Sequence, residues 1–357
     1  MMTMNNKLFS LLRSSLWGYD SQDIVSKEEF EEIMKLAQEQ TVYGLVFDTI
    51  SQHSVKGQYE RRQLLKAYAK TEKIKRQNEK INKELISFAI RSKDAGLKCL
   101  VVKGQTLGCL YANPMLRASG DIDFLVPNIS SNLSVVFPNV QFPEIMKEKE
   151  IGFKCNDVIY ELHTRLIDFG RKKHQQFWES LIDEEWKNDY YVILGEDKVK
   201  TLSPTTNAVY LFLHLYFHLI REGVSLRQFC DWAIMLHHYK NEIDRKHLDE
   251  ILRQLDMTRG YKAFGCILVD ELGLSDEEFP MHLTDDDRQW KKKILHDIFR
   301  GGNFGKRNHK AKSAVGYKME TLCMAVNNSI RYYRLAPSEM SMMIPKMIKI
   351  NMKLILN

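Results

Sequence analysis

The sequence predicts an α+β fold, a small mixed sheet flanked by an N-terminal and a C-terminal helical region. Three observations predict it. Residues 59–93 contain neither glycine nor proline, short apolar runs bounded by turn residues crowd between 97 and 203, and helical spacing returns after Ser203-Pro204. The expected segments are 1–95, 96–203 and 204–357.

The N-terminal segment reads as helical. In "SKEEFEEIMKLAQEQ", Ser26 is the expected N-cap of a helix. The stretch 59–93 should form one long amphipathic helix with Leu64, Leu65, Tyr68, Ile74, Ile81, Leu85 and Phe88 on its apolar face, ending near Gly96.

The middle segment changes character. "LKCLVVKG" (97–104), "DIDFLVP" (121–127) and "DVIYELHT" (157–164) have the length and apolar content of buried strands, the last paired with "IGFKC" (151–155). "DYYVILGEDKVKTLS" (189–203) alternates around Gly195 and Asp197 and reads as a β-hairpin.

Beyond Pro204, "TTNAVYLFLHLYFHLIREG" and "SLRQFCDWAIMLHHYK" form two helices separated by Gly223, with further helices expected over 243–256, 258–272 and 285–299. The Gly-rich basic stretch "RGGNFGKRNHKAK" (300–312) reads as a surface loop, with a phosphate or nucleic-acid clamp as the other reading. The terminal "MIPKMIKINMKLILN" reads as a helix docked on the body, or as an interfacial one on acidic lipid.

Composition narrows the function classes. The 357 residues are 44% hydrophobic and 27% charged, as in an ordinary globular protein. The net charge of +6 suits a polyanionic small substrate as well as nucleic acid. None of the six cysteines stands at CxxC spacing, which argues against a zinc knuckle and favours free thiols in a reducing compartment. No run of 18 apolar residues exists, so no spanning helix is expected, and "MMTMNNKLFSLLRSSLWG" lacks the small-residue cleavage site of a signal peptide. The expected setting is cytoplasmic.

Candidate chemistry centres on "LRASGDIDFLVP". Asp121 and Asp123 lie at i and i+2 of an apolar strand and share one face. Carboxylates so close repel unless a cation lies between them, and hard oxygen donors suit Mg²⁺ (or Mn²⁺) held with substrate phosphates. A solvated edge strand is the plain alternative. Lys103-Gly104 ends the preceding strand with a turn that lets backbone approach a phosphate, and Arg117 supplies a guanidinium nearby. Glu161 and His163 in "YELHTRL" share a face of a third strand, where Glu161 would complete a carboxylate site. A second DxD, Asp285 and Asp287 in "LTDDDRQW", precedes a helical pattern and is read as helix capping.

As a set, "VVKGQTLGCLYANPMLRASGDIDFLV", "VIYELHTRL" and "LSPTTNAVYLFLHLYFHLIREGVSLRQFCDWAIML" resemble the bacterial family of uncharacterised nucleotidyltransferases, within the DNA polymerase β-like superfamily. The resemblance runs from about residue 60 to 240. It implies a nucleotidyltransferase core over 96–203 and an enzyme that moves a nucleoside monophosphate from an NTP to an acceptor hydroxyl with release of pyrophosphate. It also implies metal ligation by Asp121 and Asp123, with Glu161 as third ligand or general base. Lys103, Gly104, Gln105, Thr106, Arg117 and His163 would bind the nucleotide. Gln105 stands where the superfamily usually has serine, which leaves Lys103, Thr106 or Arg117 to take that role. The acceptor is open; a small molecule or a protein side chain is favoured over nucleic acid.

Two other readings stay beside this one. A non-catalytic nucleotide-binding or regulatory protein would keep the same fold. A metallohydrolase would use His214 and His218, one helical turn apart, with Asp231; packing between helix and core is the plainer role for the histidines. Arg227 and Asp231 are read as an exposed i,i+4 pair, or with one of them facing the nucleotide.

Overall fold

A computed structural model describes residues 3–18, 25–53, 58–143, 149–302, 314–343 and 345. Four helices come first: α1 Met4–Trp17, α2 Phe30–Glu39, α3 Tyr43–His53 and α4 Arg61–Asp94. The sheet segment follows with β1 Leu100–Val102, the short α5 Gly104–Gly108, β2 Asp121–Leu125, α6 Ser131–Val136, β3 Glu150–Cys155, β4 Val158–His163 and α7 Lys172–Glu185. The hairpin β5 Tyr191–Leu194 and β6 Asp197–Lys200 closes it. Then come α8 Pro204–Arg221, α9 Leu226–His238, α10 Arg245–Gln254, α11 Thr258–Asp270, α12 Asp285–Arg288, α13 Lys291–Gly301 and α14 Ala314–Arg331. The fold is α+β, as the pattern predicts.

The main sheet has the order β1-β2-β4-β3, with β2 and β4 parallel and both outer strands antiparallel to their neighbours. Side chains alternate across it, so the two faces differ. One face carries Val101, Ile122, Phe124, Tyr160 and Leu162, which pack with Ile81, Leu85 and Phe88 of α4 and with Leu133 and Phe137 beside α6. Phe88 lies 4.9 Å from Phe124 and 5.5 Å from Tyr160, ring centre to ring centre. The other face carries Asp121, Asp123, Glu161 and His163 and looks toward α8 and α9. A second, larger apolar cluster joins α1–α3 to the helices from α8 onward.

Several local expectations need correction. Ser26 does not cap α2: its Oγ accepts from the Glu29 N–H and its own N–H donates to the Glu29 carboxylate, which stabilises a turn before the helix begins at Phe30. Leu65 and Tyr68 are more than half exposed, because the N-terminal half of α4 extends past the sheet that buries Leu85 and Phe88. The segment 285–299 breaks into α12 and α13. At its start, Thr284 and Asp287 form a reciprocal cap, and Asp287 pairs with Lys262 at 2.7 Å, so this DxD is structural. Most of the 300–312 stretch and, except Met343 and Pro345, the terminal 343–357 segment lie outside the described residues.

Candidate active site

The segment leading into β2 is pinned from three sides. Asn78 of α4 donates from Nδ2 to the carbonyls of Met115 and Arg117, both at 2.8 Å. Gly44 of α3 sits against the Leu116 carbonyl so closely that a Cβ there would lie 2.5 Å from its oxygen. From α9, Asp231 takes the Arg117 guanidinium side-on, Nε at 2.6 Å and Nη2 at 2.7 Å, and also accepts from the Tyr111 hydroxyl at 2.8 Å. Burial works against the Arg117 charge, but Asp231 outweighs it and keeps the guanidinium above its ordinary range. The entry to the DxD strand is therefore rigid.

Between the sheet and α8–α9 lies a cavity of about 260 Å³, lined among others by Lys103, Gly104, Arg117, Asp121, Asp123 and Glu161. Asp123 and Glu161 are register partners on the parallel strands β2 and β4, and Asp123 faces Val102 of β1 on its other side. The parallel pairing thus sets two carboxylates side by side. Asp123 Oδ1 lies 2.7 Å from Lys103 Nζ and 3.0 Å from His163 Nε2. Burial disfavours its charged form, yet Lys103 and His163 more than compensate and hold Asp123 below the usual carboxylate range. Glu161 has less help: Lys103 favours its charge only from a distance, and its closest ion-pair contact among the described residues is His163 at 3.9 Å. Burial first, and then the Asp123 charge, push Glu161 up to about 8. Asp121 is raised for the same two reasons.

The turn after β1 is unusual backbone. Lys103 has φ +56° and Gly104 φ +48°, consecutive residues in a region that L side chains rarely adopt. Glycine meets that need at 104; at Lys103 the strain accompanies the placement of Nζ on Asp123.

The expected site residues divide. Lys103, Gly104, Arg117, Asp121, Asp123 and Glu161 line one cavity. Gln105 and Thr106 are buried and turned inward. The Gln105 amide bonds Asn82 and accepts from Ser119 Oγ at 2.6 Å, and Thr106 Oγ1 donates to the Lys103 carbonyl at 2.7 Å. Arg117 reaches the cavity, but its guanidinium is occupied by Asp231 and Ser119, which makes it a bracket for the strand entry. Among the described residues, the group whose ligand atoms lie within 4.8 Å of one another is Asp123, Glu161 and His163; Asp121 stands outside it. Two carboxylate oxygens and an imidazole nitrogen, with carboxylate charge in excess at Glu161, are a donor set that fits a divalent cation.

The metallohydrolase reading does not survive. Asp231 commits both oxygens to Arg117 and Tyr111 and is no partner for His214 and His218. Nor is Asp231 paired with Arg227 on an exposed face: Asp231 is buried, and Arg227 Nη1 donates to the Ala118 carbonyl at 2.9 Å while lining the cavity. His214 and His218 line the same cavity with ring centres 4.3 Å apart, and burial drives His214 well below its ordinary range.

Residues 26–272 match the family described as uncharacterised nucleotidyltransferase. The chain belongs to that family. The match includes every residue named around the cavity, from the bracket at Asn78 to Asp231. No curated protein and no solved structure matches the chain. No helix among the described residues is long and apolar enough to cross a membrane.

Sequence reasoning missed Lys149, Glu150 and Glu222, which also line the cavity. Glu222 had a signal: His214, His218 and Glu222 fall at intervals of four, a stripe that runs along α8 to its C-cap. Glu150 had none, since only the register of β3 on β4 sets it opposite His163.

Proposed function

We infer that this family member is a divalent-cation-dependent nucleotidyltransferase, moving a nucleoside monophosphate from an NTP to an acceptor hydroxyl and releasing pyrophosphate. The observation that carries the reading is the Asp123–Glu161 register pair, two adjacent carboxylates with one left uncompensated, beside the Lys103-Gly104 turn. Asp123, Glu161 and His163 would hold Mg²⁺ or Mn²⁺, with Asp121 adding a carboxylate at the same opening. Such an ion, when bound, supplies charge neutralisation for the triphosphate and for the acceptor oxygen.

The chain's own residues would do the rest. Lys103 and Arg227 offer cations to the phosphates, and the Gly104 backbone permits close approach. The acceptor oxygen bonds to the α-phosphorus as the bond to pyrophosphate breaks, and a Glu161 carboxylate oxygen takes the hydroxyl proton. The six cysteines are free, which favours a reducing, cytoplasmic setting.

The test is to incubate the intact protein with Mg²⁺ and each α-labelled NTP over metabolite and lysate fractions. Label transferred to an acceptor by the wild type and lost in Asp123→Asn supports the reading. Tight NTP binding with no transfer to any fraction would favour a nucleotide-binding regulator instead.

A further inference from the structure

The cleft has a second lobe that nothing above uses. A cavity of about 300 Å³ continues from the carboxylate site, sharing Lys149, Glu150, His214, His218 and Glu222 with it and adding Ile167, Asp168, Phe217 and Arg221. The strand order fixes its side. Lys103 and Gly104 follow β1, the DxD is on β2, Glu161 is on β4, and Glu150 opens the outer strand β3. A triphosphate drawn to the β1 end leaves the far side of Glu161, toward β3, for the group that gives up its proton. The second lobe opens on that far side.

Its lining is chemically specific. Three carboxylates (Glu150, Asp168, Glu222) and two cations (Lys149, Arg221) line a small volume, with apolar surface from Ile167 and Phe217. The ion pairs among the lining residues are long: Lys149–Glu150 is 3.4 Å and His218–Glu222 is 3.6 Å, against 2.6 Å for the Arg117–Asp231 pair. Arg221 donates from Nη2 to the Asp168 carbonyl at 3.1 Å, and its guanidinium lies 5.3 Å from the centre of the Phe217 ring. Donors and acceptors of both signs, held to one another by long charged contacts that a ligand's hydroxyls can replace, match a molecule dense in hydroxyl groups, each of which both donates and accepts. A nucleic-acid strand would instead call for an excess of cations and a stacking platform.

We propose that this lobe is the acceptor subsite and that it takes a small polyhydroxylated molecule, sugar- or cyclitol-like, presenting one hydroxyl to Glu161. This rests on the nucleotidyltransferase reading and names the acceptor class for it. Asp168 and Arg221 line the second lobe and not the carboxylate cavity, so they separate acceptor binding from nucleotide binding.

The experiment uses the full chain with Mg²⁺ and a non-hydrolysable ATP analogue, and follows glucose, glucosamine, mannose and myo-inositol by saturation-transfer NMR. At least one should bind saturably at millimolar concentration. Arg221→Met and Asp168→Asn should each weaken that polyol about tenfold, the loss of one charge-assisted hydrogen bond, while the analogue's Kd stays within twofold; Arg221→Lys should recover part of the loss. Absence of saturable binding by all four, equal binding by the variants, or a matching loss of analogue affinity would overturn the assignment, the last by making the lobe part of the nucleotide site. A wild type that ignores the analogue yet binds a polyol through Arg221 would instead overturn the transfer reaction and leave the polyol site standing.

Discussion

Tyr160 and Glu161 are neighbours on one strand and face opposite sides of the sheet, where two carboxylates stand in opposite circumstances. On the far face of the sheet, Glu84 accepts from the Tyr160 hydroxyl at 2.7 Å, from Arg91 at 2.8 Å and from Asn156 at 3.1 Å. Burial opposes its charge, but those three donors prevail and hold it below the ordinary carboxylate range. On the cleft face, Glu161 has His163 at 3.9 Å and the Asp123 carboxylate as its register partner, and it is raised. A carboxylate with its donors in place serves the fold. One held beside another carboxylate, its charge left over, is poised for something brought from outside.

The Arg117–Asp231 bracket belongs to the satisfied class, fully buried and bidentate, and breaking it should have the largest effect. Asp231→Ala strands a buried guanidinium and should cost about 3–5 kcal/mol in denaturant unfolding. A loss below about 1 kcal/mol would mean that the bracket does not hold the strand entry. Glu84→Gln should cost about 1–3 kcal/mol and also change the pH profile. The depressed folded-state value of Glu84 means its contribution is present above the reference value of 4.5 and is lost as pH falls through the lower folded value. The variant should therefore flatten the acid limb of the stability curve. An unchanged limb would put Glu84 outside the satisfied class.

The cleft should answer in the opposite sense. Lys103 Nζ stands against the oxygen that a divalent ion would share, and it repels one. Lys103→Met should tighten Mn²⁺ binding without nucleotide about tenfold, read by electron paramagnetic resonance titration; weaker binding would show that the lysine helps to build the cation site. The other effect in the cleft is a slope. A carboxyl raised from 4.5 to about 8 favours the folded state when protonated, so in metal-free buffer its contribution is full below 4.5 and is lost as pH rises through about 8. Thermal melts from pH 5 to 8 should show that decline, and Glu161→Gln should remove it. A variant as pH-dependent as the wild type would mean that Glu161 carries no excess charge.

How far the sequence reveals this difference depends on range. Alternation within single strands is local, so the four main strands, the hairpin and the shared face of Asp121 and Asp123 were legible. The facing of Asp123 and Glu161 depends on parallel register between strands some 40 residues apart; the apolar strand around Glu161 suggests a third carboxylate near the pair, but the register itself has no local signal. The Arg117–Asp231 bond spans 114 residues and has no local pattern, so the sequence points both residues to other tasks. Gln105 and Thr106 sat in the right motif but turned inward, because their partners Asn82, Ser119 and the Lys103 carbonyl are set by packing. On α4, helical periodicity marked Leu65 and Tyr68 as apolar-face residues. The helix is about 50 Å long at 1.5 Å per residue and outreaches a sheet whose five-residue central strand covers about 17 Å.

The central claim is that Asp123 and Glu161 together hold a divalent ion against a triphosphate. Isothermal titration of the intact protein with an NTP, in Mg²⁺ and again in EDTA, with Asp123→Asn checked for native circular dichroism, tests it directly. The account predicts NTP binding that requires Mg²⁺ and that disappears in the folded Asp123→Asn protein. NTP bound equally well in EDTA, or undiminished in that variant, would contradict it.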